Sequence, residues 1–256
     1  MTFHYLKNYL RYLFCSRHWR GYGVHSPFAF DLVTNVIREE LPYYKYSLVE
    51  KIRKLYQTSK KSLEVDGRSV PVPELAHGEI SPACGQLLFR LVNKYKPANV
   101  VATKMGMGIS SMYLAAPNSK LPVVTFCESE SVASFVSGYM KQTGFGNVFV
   151  IKGRADDLST RLVDVDALGL LYVNDCFSGE DLDRRMEVCL RKRGEQSIFV
   201  IDHIYENASM TAAWHRLQAL EEVRVTVDLF HIGIVFFDKK LQKEDYNVRY
   251  FPKLHF

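Results

Sequence analysis

The stretch Val223-Arg-Val-Thr-Val-Asp-Leu-Phe-His-Ile-Gly-Ile-Val-Phe-Phe237 decides the fold. It holds two apolar runs, 223–230 and 232–237, which are joined almost directly. Because two parallel strands need a long crossover connection, no crossover helix fits between these runs. The sequence therefore predicts that they pair as an antiparallel hairpin.

Upstream of the hairpin, short apolar runs alternate with segments of helical pattern. The predicted strands are 99–103, 123–127, 148–151, 168–173 and 198–201, and the predicted helices are 109–116, 132–142, 180–191 and 209–220. Continuous apolar strands that alternate with helices are typical of a parallel sheet covered on both faces. The sequence thus predicts an α/β fold with a Rossmann-like, seven-stranded sheet that ends in the antiparallel hairpin.

The N-terminal part of the chain has a helical pattern. We predict a helical region over 1–97 and the sheet domain over 98–256. Four helices are expected: one with Phe3, Leu6, Leu10 and Leu13 on one face and Lys7 and Arg11 on another, one opened by Ser26-Pro27, one over about Tyr44–Gln57, and one opened by Ser81-Pro82. The stretches Asp66-Gly67 and 70–73 predict a loop-rich connector between the last two.

Composition limits the classes of protein that the chain can represent. With 47% hydrophobic and 24% charged residues among 256, it is globular and long enough for a full core. No apolar run approaches the roughly 20 residues that span a bilayer. Lys7 and Arg11 interrupt the start too early for a signal peptide, and the five cysteines are scattered. We therefore expect a reduced, cytoplasmic protein without a structural zinc site.

Charge is unevenly distributed along the chain. Residues 1–60 hold ten Lys/Arg and four Asp/Glu, whereas the remainder holds 23 and 24. The basic segment could face an acidic partner, a membrane surface or RNA, although a solvated helical face would look the same.

Two glycines follow the first strand of the predicted sheet. The sequence there is Lys104-Met-Gly106-Met-Gly108, which leads into a helix. Closely spaced glycines let the backbone approach a ligand, and exposed N–H groups favour polar or anionic groups. An ordinary tight turn is the alternative interpretation.

Carboxylates follow the next two strands. Glu128 lies twenty positions beyond Gly108, where a carboxylate in nucleotide-binding sheets accepts hydrogen bonds from ribose hydroxyls. Glu130 is the other candidate, and a solvated first turn of a helix would explain both. After the third strand, 153–157 is the expected edge of an adenine ring, although its acids could equally cap a helix.

The fourth and fifth strands end in polar pairs, Asn174-Asp175 and Asp202-His203. Asp175, Asp202 and His203 could ligate a divalent cation, or His203 could act as a general base. The alternative is that Asn174 and Asp202 cap helices while His203 packs. Without diagnostic ligand spacing, we predict no metal.

Five βα units followed by a hairpin resemble the class I S-adenosylmethionine-dependent methyltransferases. Five short stretches are more specifically similar to a methyltransferase family of Bacteroidetes bacteria, within a likeness that runs from about Trp19 to Phe237. They are His-Ser-Pro-Phe-Ala-Phe-Asp at 25–31, Gly-Gln-Leu-Leu-Phe-Arg at 85–90, Gly-Ile-Ser-Ser-Met-Tyr-Leu-Ala at 108–115, Met-Thr-Ala-Ala-Trp at 210–214 and Asp-Leu-Phe-His-Ile-Gly-Ile-Val-Phe-Phe at 228–237.

The departures from that family fall at its cofactor site. Ala102 stands where the family has an acid, and Lys104 replaces its first glycine. The family acid of the second strand falls on Cys127, so that Glu128 is displaced by one position. The family's Asp-Gly-Asn-His after the fourth strand is 174–177 here, and its Asp-Asp pair is 202–203. Lys104 also places a positive charge near the cofactor's sulfonium, which is unfavourable unless Lys104 is paired.

The resemblance implies a methyltransferase of a small-molecule acceptor. It assigns S-adenosylmethionine binding to Lys104, Gly106, Gly108, Glu128, Asn174 and Asp175, and catalysis to Asp202 and His203. The alternative hypothesis is a catalytically degenerate relative, a pseudoenzyme that binds or scaffolds through its basic N-terminal segment. A nicotinamide-dependent oxidoreductase is a third. We also expect the first helix to pack on another copy of the chain, or on the domain rim as a lid, and we expect no nucleic-acid partner.

Overall fold

The computed structural model describes residues 3–16, 26–155 and 167–250. They fall into two compact units, one containing 3–16, 26–39 and 167–250 and the other 40–155. These units do not coincide with the predicted regions 1–97 and 98–256, which stay a prediction about domain organisation.

The helices and strands are numbered in chain order over the described residues. The helices are α1 Phe3–Cys15, α2 Pro27–Leu32, α3 Tyr44–Gln57, α4 Val72–His77, α5 Pro82–Tyr95, α6 Ile109–Ala115, α7 Glu130–Gln142, α8 Gly179–Arg191 and α9 Ala208–Ala219. The strands are β1 Ser62–Val65, β2 Arg68–Pro71, β3 Val100–Ala102, β4 Val123–Cys127, β5 Val148–Lys152, β6 Leu168–Val173, β7 Arg193–Asp202, β8 Val225–Asp228, β9 Ile232–Phe236 and β10 Glu244–Asn247. The mixed α/β class and the mostly parallel central sheet are as predicted.

Three parallel strands form the sheet of the unit 40–155. Strand β4 lies between β3 and β5, and Val123 pairs with both Val100 and Val148. Ser81 caps α5 as predicted, since its side chain accepts a hydrogen bond from the Cys84 N–H. The strands are apolar where they are buried, which is what made them readable in the sequence.

The predicted loop at Asp66-Gly67 is instead a two-stranded hairpin. Both residues have positive φ, 50° and 73°, as a two-residue hairpin turn requires. Strands β1 and β2 pair antiparallel across it, and the Ser129 hydroxyl donates to the Glu64 carbonyl oxygen at 3.2 Å. The hairpin is thereby attached to the start of α7. Within the former connector, 72–77 forms the short helix α4.

Five strands form the sheet of the other unit, in the order β10-β8-β9-β7-β6. The predicted terminal hairpin is confirmed, because β8 and β9 pair antiparallel with Thr226 opposite Val235. Strand β10 was not predicted; it pairs parallel with β8. Apart from the hairpin β1–β2, the described residues therefore form eight strands, where seven were expected.

Helix α1 is confirmed, but its buried face is not the predicted one. The rings of Tyr5, Tyr9 and Tyr12 lie 5.0, 5.1 and 5.3 Å from that of Phe230. The Tyr12 hydroxyl also donates to the Val248 carbonyl oxygen at 2.7 Å. The prediction that the leucine face packs on the chain's own rim is wrong, because the tyrosine rings pack there instead and Leu6 and Leu10 remain exposed. Packing of that face on a second copy stays a prediction.

Helix α2 begins as predicted, with Pro27 in the first turn and Ser26 as N-cap, and it continues into a π-helical turn over 33–37. In the described part of the chain, no helix is both long and apolar enough to cross a membrane.

Candidate functional site

A glycine loop, residues 104–108, connects β3 to α6. Gly106 and Gly108 both have positive φ, 57° and 83°, a conformation that side chains other than glycine's rarely adopt. A Cβ on Gly108 would also lie 2.4 Å from Met140 Cε and 2.6 Å from Val136 Cγ1. Both glycines are therefore required by the shape of the loop, which agrees equally with a ligand-binding loop and with an ordinary tight turn.

The carboxylate of Glu79 lies inside this loop. It accepts hydrogen bonds from the backbone N–H of Met107 and, at 3.2 Å, from that of Ile109. A Cβ on Gly106 would lie 2.3 Å from Glu79 Oε1, so the glycine also leaves room for the carboxylate. Burial raises the pKa of Glu79 to about 7, against the opposing effects of the Met107 N–H and the Arg53 charge.

Glu79 is not among the site residues that the sequence predicts. No periodic pattern connects a residue before α5 with a loop 28 residues further along the chain. The one available signal is the missing family acid at Ala102, which leaves the loop without a carboxylate of its own. The structure supplies a carboxylate from elsewhere in the chain.

A buried polar network belongs to the same unit. Arg53 Nε donates to both carboxylate oxygens of Glu50, at 3.1 and 2.9 Å, and the Tyr113 hydroxyl donates to Glu50 Oε1 at 2.7 Å. A second nitrogen of Arg53, Nη2, is buried and has no hydrogen-bond acceptor among the described residues. The network therefore holds a cation close enough to stabilise the Glu79 anion, with one N–H group still able to bind an acceptor.

The two carboxylates after β4 differ in their partners. Glu130 Oε2 accepts a hydrogen bond from Lys152 at 2.6 Å, which lowers the pKa of Glu130. Glu128 is 65% exposed and lies 4.0 Å from Arg154, beyond hydrogen-bond distance. Both carboxylates are exposed, so the two candidates differ in that Lys152 donates a hydrogen bond to Glu130, whereas the cation beside Glu128 lies too far away for one.

The remaining features of these strand ends are mixed. The thiol of Cys127 is buried and donates to the Ser129 carbonyl oxygen at 3.3 Å, and burial raises its pKa. Lys104 is exposed, and its charge lowers the pKa of both Glu79 and Cys127. Asp156 and Asp157, expected near an adenine ring, lie outside the described residues.

In the other unit, β7 ends at Asp202 and His203. The Tyr172 hydroxyl donates to Asp202 Oδ2 at 2.9 Å, and the His203 backbone N–H donates to Oδ1 at 3.0 Å. The imidazole of His203 is partly exposed, with Nε2 3.9 Å from Asp202 and Nδ1 3.8 Å from Glu206. Asp202 is thus held in place, while the His203 ring lies between two carboxylates and can still contact a ligand.

Asp175 is occupied by a buried ion pair. Arg185 Nη2 lies 2.8 Å from Asp175 Oδ2, and both side chains are largely buried. Asn174 is only partly exposed. Neither Asn174 nor Asp202 caps the helix that follows it, because the N-caps are Ser178 and Asn207. Across the described ranges, no three His, Cys, Asp or Glu side chains come together as a metal site would require.

A second buried carboxylate, Asp228, was also missed from the sequence. The Tyr205 hydroxyl donates to it at 2.5 Å and the Phe230 N–H at 2.8 Å, while burial raises its pKa. It lines a cavity of about 190 Å³ whose other walls include Arg11 and His215. The sequence places Asp228 inside a strand, where alternation favours burial but does not identify a hydrogen-bond partner.

The fold is similar to that of several solved structures. The chain has the Rossmann-like architecture of the S-adenosylmethionine-dependent class I methyltransferases, as solved structures of that class show. No protein-family model matches the sequence, and no curated protein matches it.

Three solved structures illustrate the likeness. An O-methyltransferase from Bacillus cereus in complex with SAH has a TM-score of 0.58 and 16% identity, over 81% of this chain and 97% of that one. The O-methyltransferase TomG from Streptomyces achromogenes, involved in tomaymycin synthesis and in complex with SAM, has a TM-score of 0.55 and 15% identity, over 77% and 91%. The SAH-bound methyltransferase PaMTH1 from Podospora anserina has a TM-score of 0.53 and 14% identity, over 78% and 98%.

Proposed function

We propose that the protein is an S-adenosylmethionine-dependent methyltransferase that acts on a hydroxyl group of a small molecule. The observation that carries this proposal is the glycine loop after β3. Its two glycines have positive φ, and the partly buried Glu79 carboxylate is held against its backbone N–H groups. The similar structures that hold SAM or SAH, together with their O-methyltransferase names, support the choice of cofactor and acceptor class.

The residues present fit such a cofactor. S-adenosylmethionine carries a sulfonium and an ammonium, both cationic, and Glu79 provides a partly buried carboxyl group at the loop whose ionised form such a cation would favour. It also carries a carboxylate. The buried Nη2 of Arg53 has no hydrogen-bond partner among the described residues and could donate to that carboxylate. We therefore assign its methionine end to the surroundings of Glu79 and Arg53.

The ribose hydroxyls are assigned to Glu128. Arg154 lies 4.0 Å from Glu128, beyond hydrogen-bond distance, so Glu128 accepts two hydroxyl hydrogen bonds at low cost, whereas Glu130 would first have to release Lys152. Gly106 and Gly108 keep side chains out of the loop, so that the backbone can approach a ligand closely. Asp175 is given a structural role, because Arg185 already holds its carboxylate.

The cofactor, when bound, supplies a methyl group activated by attachment to a cationic sulfur. The protein's contribution is then mainly to position the acceptor in line with that methyl group. His203 is the proposed base that removes the acceptor's hydroxyl proton. Asp202, fixed by Tyr172, lies 3.9 Å from the ring of His203 and would stabilise the imidazolium that results.

Calorimetric titration of the full chain with S-adenosylmethionine and S-adenosylhomocysteine tests this proposal. We expect both to bind, and we expect Glu128→Gln to weaken binding by roughly ten-fold because a charged hydrogen-bond acceptor is lost. Glu130→Gln is the matched control, and it should bind as the wild type does.

Absence of heat and of a thermal shift at millimolar ligand would contradict the proposal. That result would favour the degenerate, scaffolding interpretation. If Glu130→Gln weakened binding and Glu128→Gln did not, the cofactor would stand but the assignment of its ribose would be wrong.

A further inference from the structure

Helix α1 has two apolar faces, and residues in the described part of the chain cover only one of them. The tyrosine face, Tyr5, Tyr9 and Tyr12, packs around Phe230. The second face consists of Phe3, Leu6, Leu10 and Phe14, which we call the outer face of α1.

The outer face is exposed along the length of the helix. Its side chains are accessible to the extent of 84% for Phe3, 40% for Leu6, 47% for Leu10 and 85% for Phe14. At 3.6 residues per turn, the four positions fall within an arc of about 80°, so they form one continuous stripe. A contiguous apolar surface of this kind marks an interaction site more often than scattered single residues do.

The charge beside the stripe is positive. Lys7 and Arg11 lie next to the outer face on the helical wheel, and α1 contains no Asp or Glu. A basic residue in this position keeps its charged end in the aqueous headgroup layer while its aliphatic part lies along apolar surface. The tyrosine face anchors the helix to its unit, so the outer face is presented on a fixed support.

We propose that the outer face of α1 binds the surface of an anionic lipid bilayer, with the helix lying in the plane of the interface. Apolar side chains on one face with Lys and Arg beside them are the composition of such helices. Charge complementarity favours lipid over a second copy of the chain, because two α1 helices would bring Lys7 and Arg11 together with the same charges and no acid to offset them. Binding by one short helix is reversible, so the protein is peripheral.

Co-sedimentation of the full-length chain with lipid vesicles tests the proposal. We expect binding to vesicles of phosphatidylcholine with phosphatidylserine, weaker binding to phosphatidylcholine alone, and loss of binding at high salt. The double variant Phe3→Ser/Phe14→Ser should reduce the partition coefficient at least roughly ten-fold, since both side chains leave the apolar layer. Lys7→Glu should reduce binding to the anionic vesicles selectively.

Phe149→Ser is the matched control. Phe149 is an aromatic residue of β5, 55% exposed, in the other unit, and its replacement should leave vesicle binding unchanged. Thermal midpoints of all variants should equal that of the wild type, because the replaced side chains contact solvent in the folded chain.

Two results would overturn the proposal. One is equal sedimentation of the wild type and the Phe3→Ser/Phe14→Ser variant with anionic vesicles, including no sedimentation of either. The other is a wild-type dimer in light scattering that this variant converts to a monomer, without any vesicle binding, which would assign the outer face to a second copy.

Discussion

The glycine loop and the end of β7 present their candidate functional side chains differently. At the loop, the partly buried carboxylate of Glu79 accepts hydrogen bonds from the N–H groups of Met107 and Ile109, which lie 28 and 30 residues further along the chain. At the end of β7, Asp202 is likewise fixed, by the hydroxyl of the buried Tyr172 and by the His203 N–H, but the imidazole of His203 remains partly exposed. A side chain fixed by long-range contacts couples to the stability of the fold, whereas an exposed ring such as that of His203 is freer to change its chemistry.

The largest effect is expected at Asp175. Like Asp202 it follows the end of a strand, but its carboxylate is held in a largely buried ion pair with Arg185. Asp175→Ala leaves the Arg185 guanidinium buried without its carboxylate, so the free energy of unfolding should fall by about 3 kcal/mol. Urea denaturation measures it. Glu187→Ala, which removes an exposed pair with Arg191, is the control and should change stability by less than about 0.5 kcal/mol. Equal losses in both variants would show that the buried Asp175–Arg185 pair stabilises the fold no more than an exposed ion pair does.

A pH-dependent effect of similar size is expected at Glu79. Burial raises its pKa to about 7 from 4.5, so the folded state binds this proton more tightly than the unfolded state does. Its contribution to stability is therefore complete below about pH 4.5 and is lost as the pH rises through 7. A pKa of about 7 in place of 4.5 corresponds to a difference in the free energy of unfolding of roughly 3 kcal/mol between low and high pH.

Glu79→Gln removes the titration but keeps a hydrogen-bond acceptor of the same shape. Stability measured by urea denaturation at pH 5 and pH 8 should fall more in the wild type than in this variant. Parallel pH profiles of the two proteins would show that Glu79 is not a buried, titrating group and would remove the contrast with the end of β7.

Gly108→Ala tests the shape of the loop. The new Cβ would lie 2.4 Å from Met140 Cε in a backbone conformation of φ +83°, so we expect a loss of about 2 kcal/mol by thermal unfolding. Gly138→Ala in α7 is the control, because its Cβ would meet nothing within 4 Å, and it should stabilise slightly. If the Gly108→Ala protein unfolded at the same temperature as the Gly138→Ala control, the loop would accommodate the new Cβ without loss of stability.

The smallest effect is expected from Tyr172→Phe, which removes one hydrogen bond to Asp202 and leaves the one from the His203 N–H. Thermal unfolding should show a loss of about 1 kcal/mol, typical of a single neutral donor. A loss as large as that of Asp175→Ala would mean that this single hydrogen bond stabilises the fold as much as the Asp175–Arg185 ion pair does.

The sequence predicted those features that depend on local pattern. Strands β4 and β6 match their predicted bounds, because a continuous apolar run identifies a strand buried on both faces. The hairpin β1–β2 was predictable from the sequence, since Asp66-Gly67 is typical of a two-residue hairpin turn. The neighbouring prolines favoured a loop instead. These elements need no knowledge of distant residues.

Features that depend on distant partners were not predictable. The buried face of α1 differs from the predicted one because tyrosines and leucines both recur at helical spacing. Only the contacts of the tyrosines with the Val248 carbonyl oxygen and the Phe230 ring distinguish the two faces. Glu79 gives no local signal of its role. In the candidate site, the backbone of the glycine loop could thus be anticipated, whereas the carboxylate inside it could not.

Strand β10 has a consequence for how the protein behaves at high concentration. It is the outermost strand of its sheet in the described part of the chain, and it is four residues long with two of them acidic, Glu244 and Asp245. An exposed strand edge offers unpaired N–H and C=O groups that can recruit a strand from another molecule and start aggregation. A short edge that carries like charges repels a second copy of itself, so β10 protects the edge of the buried strand β8 beside it from self-association.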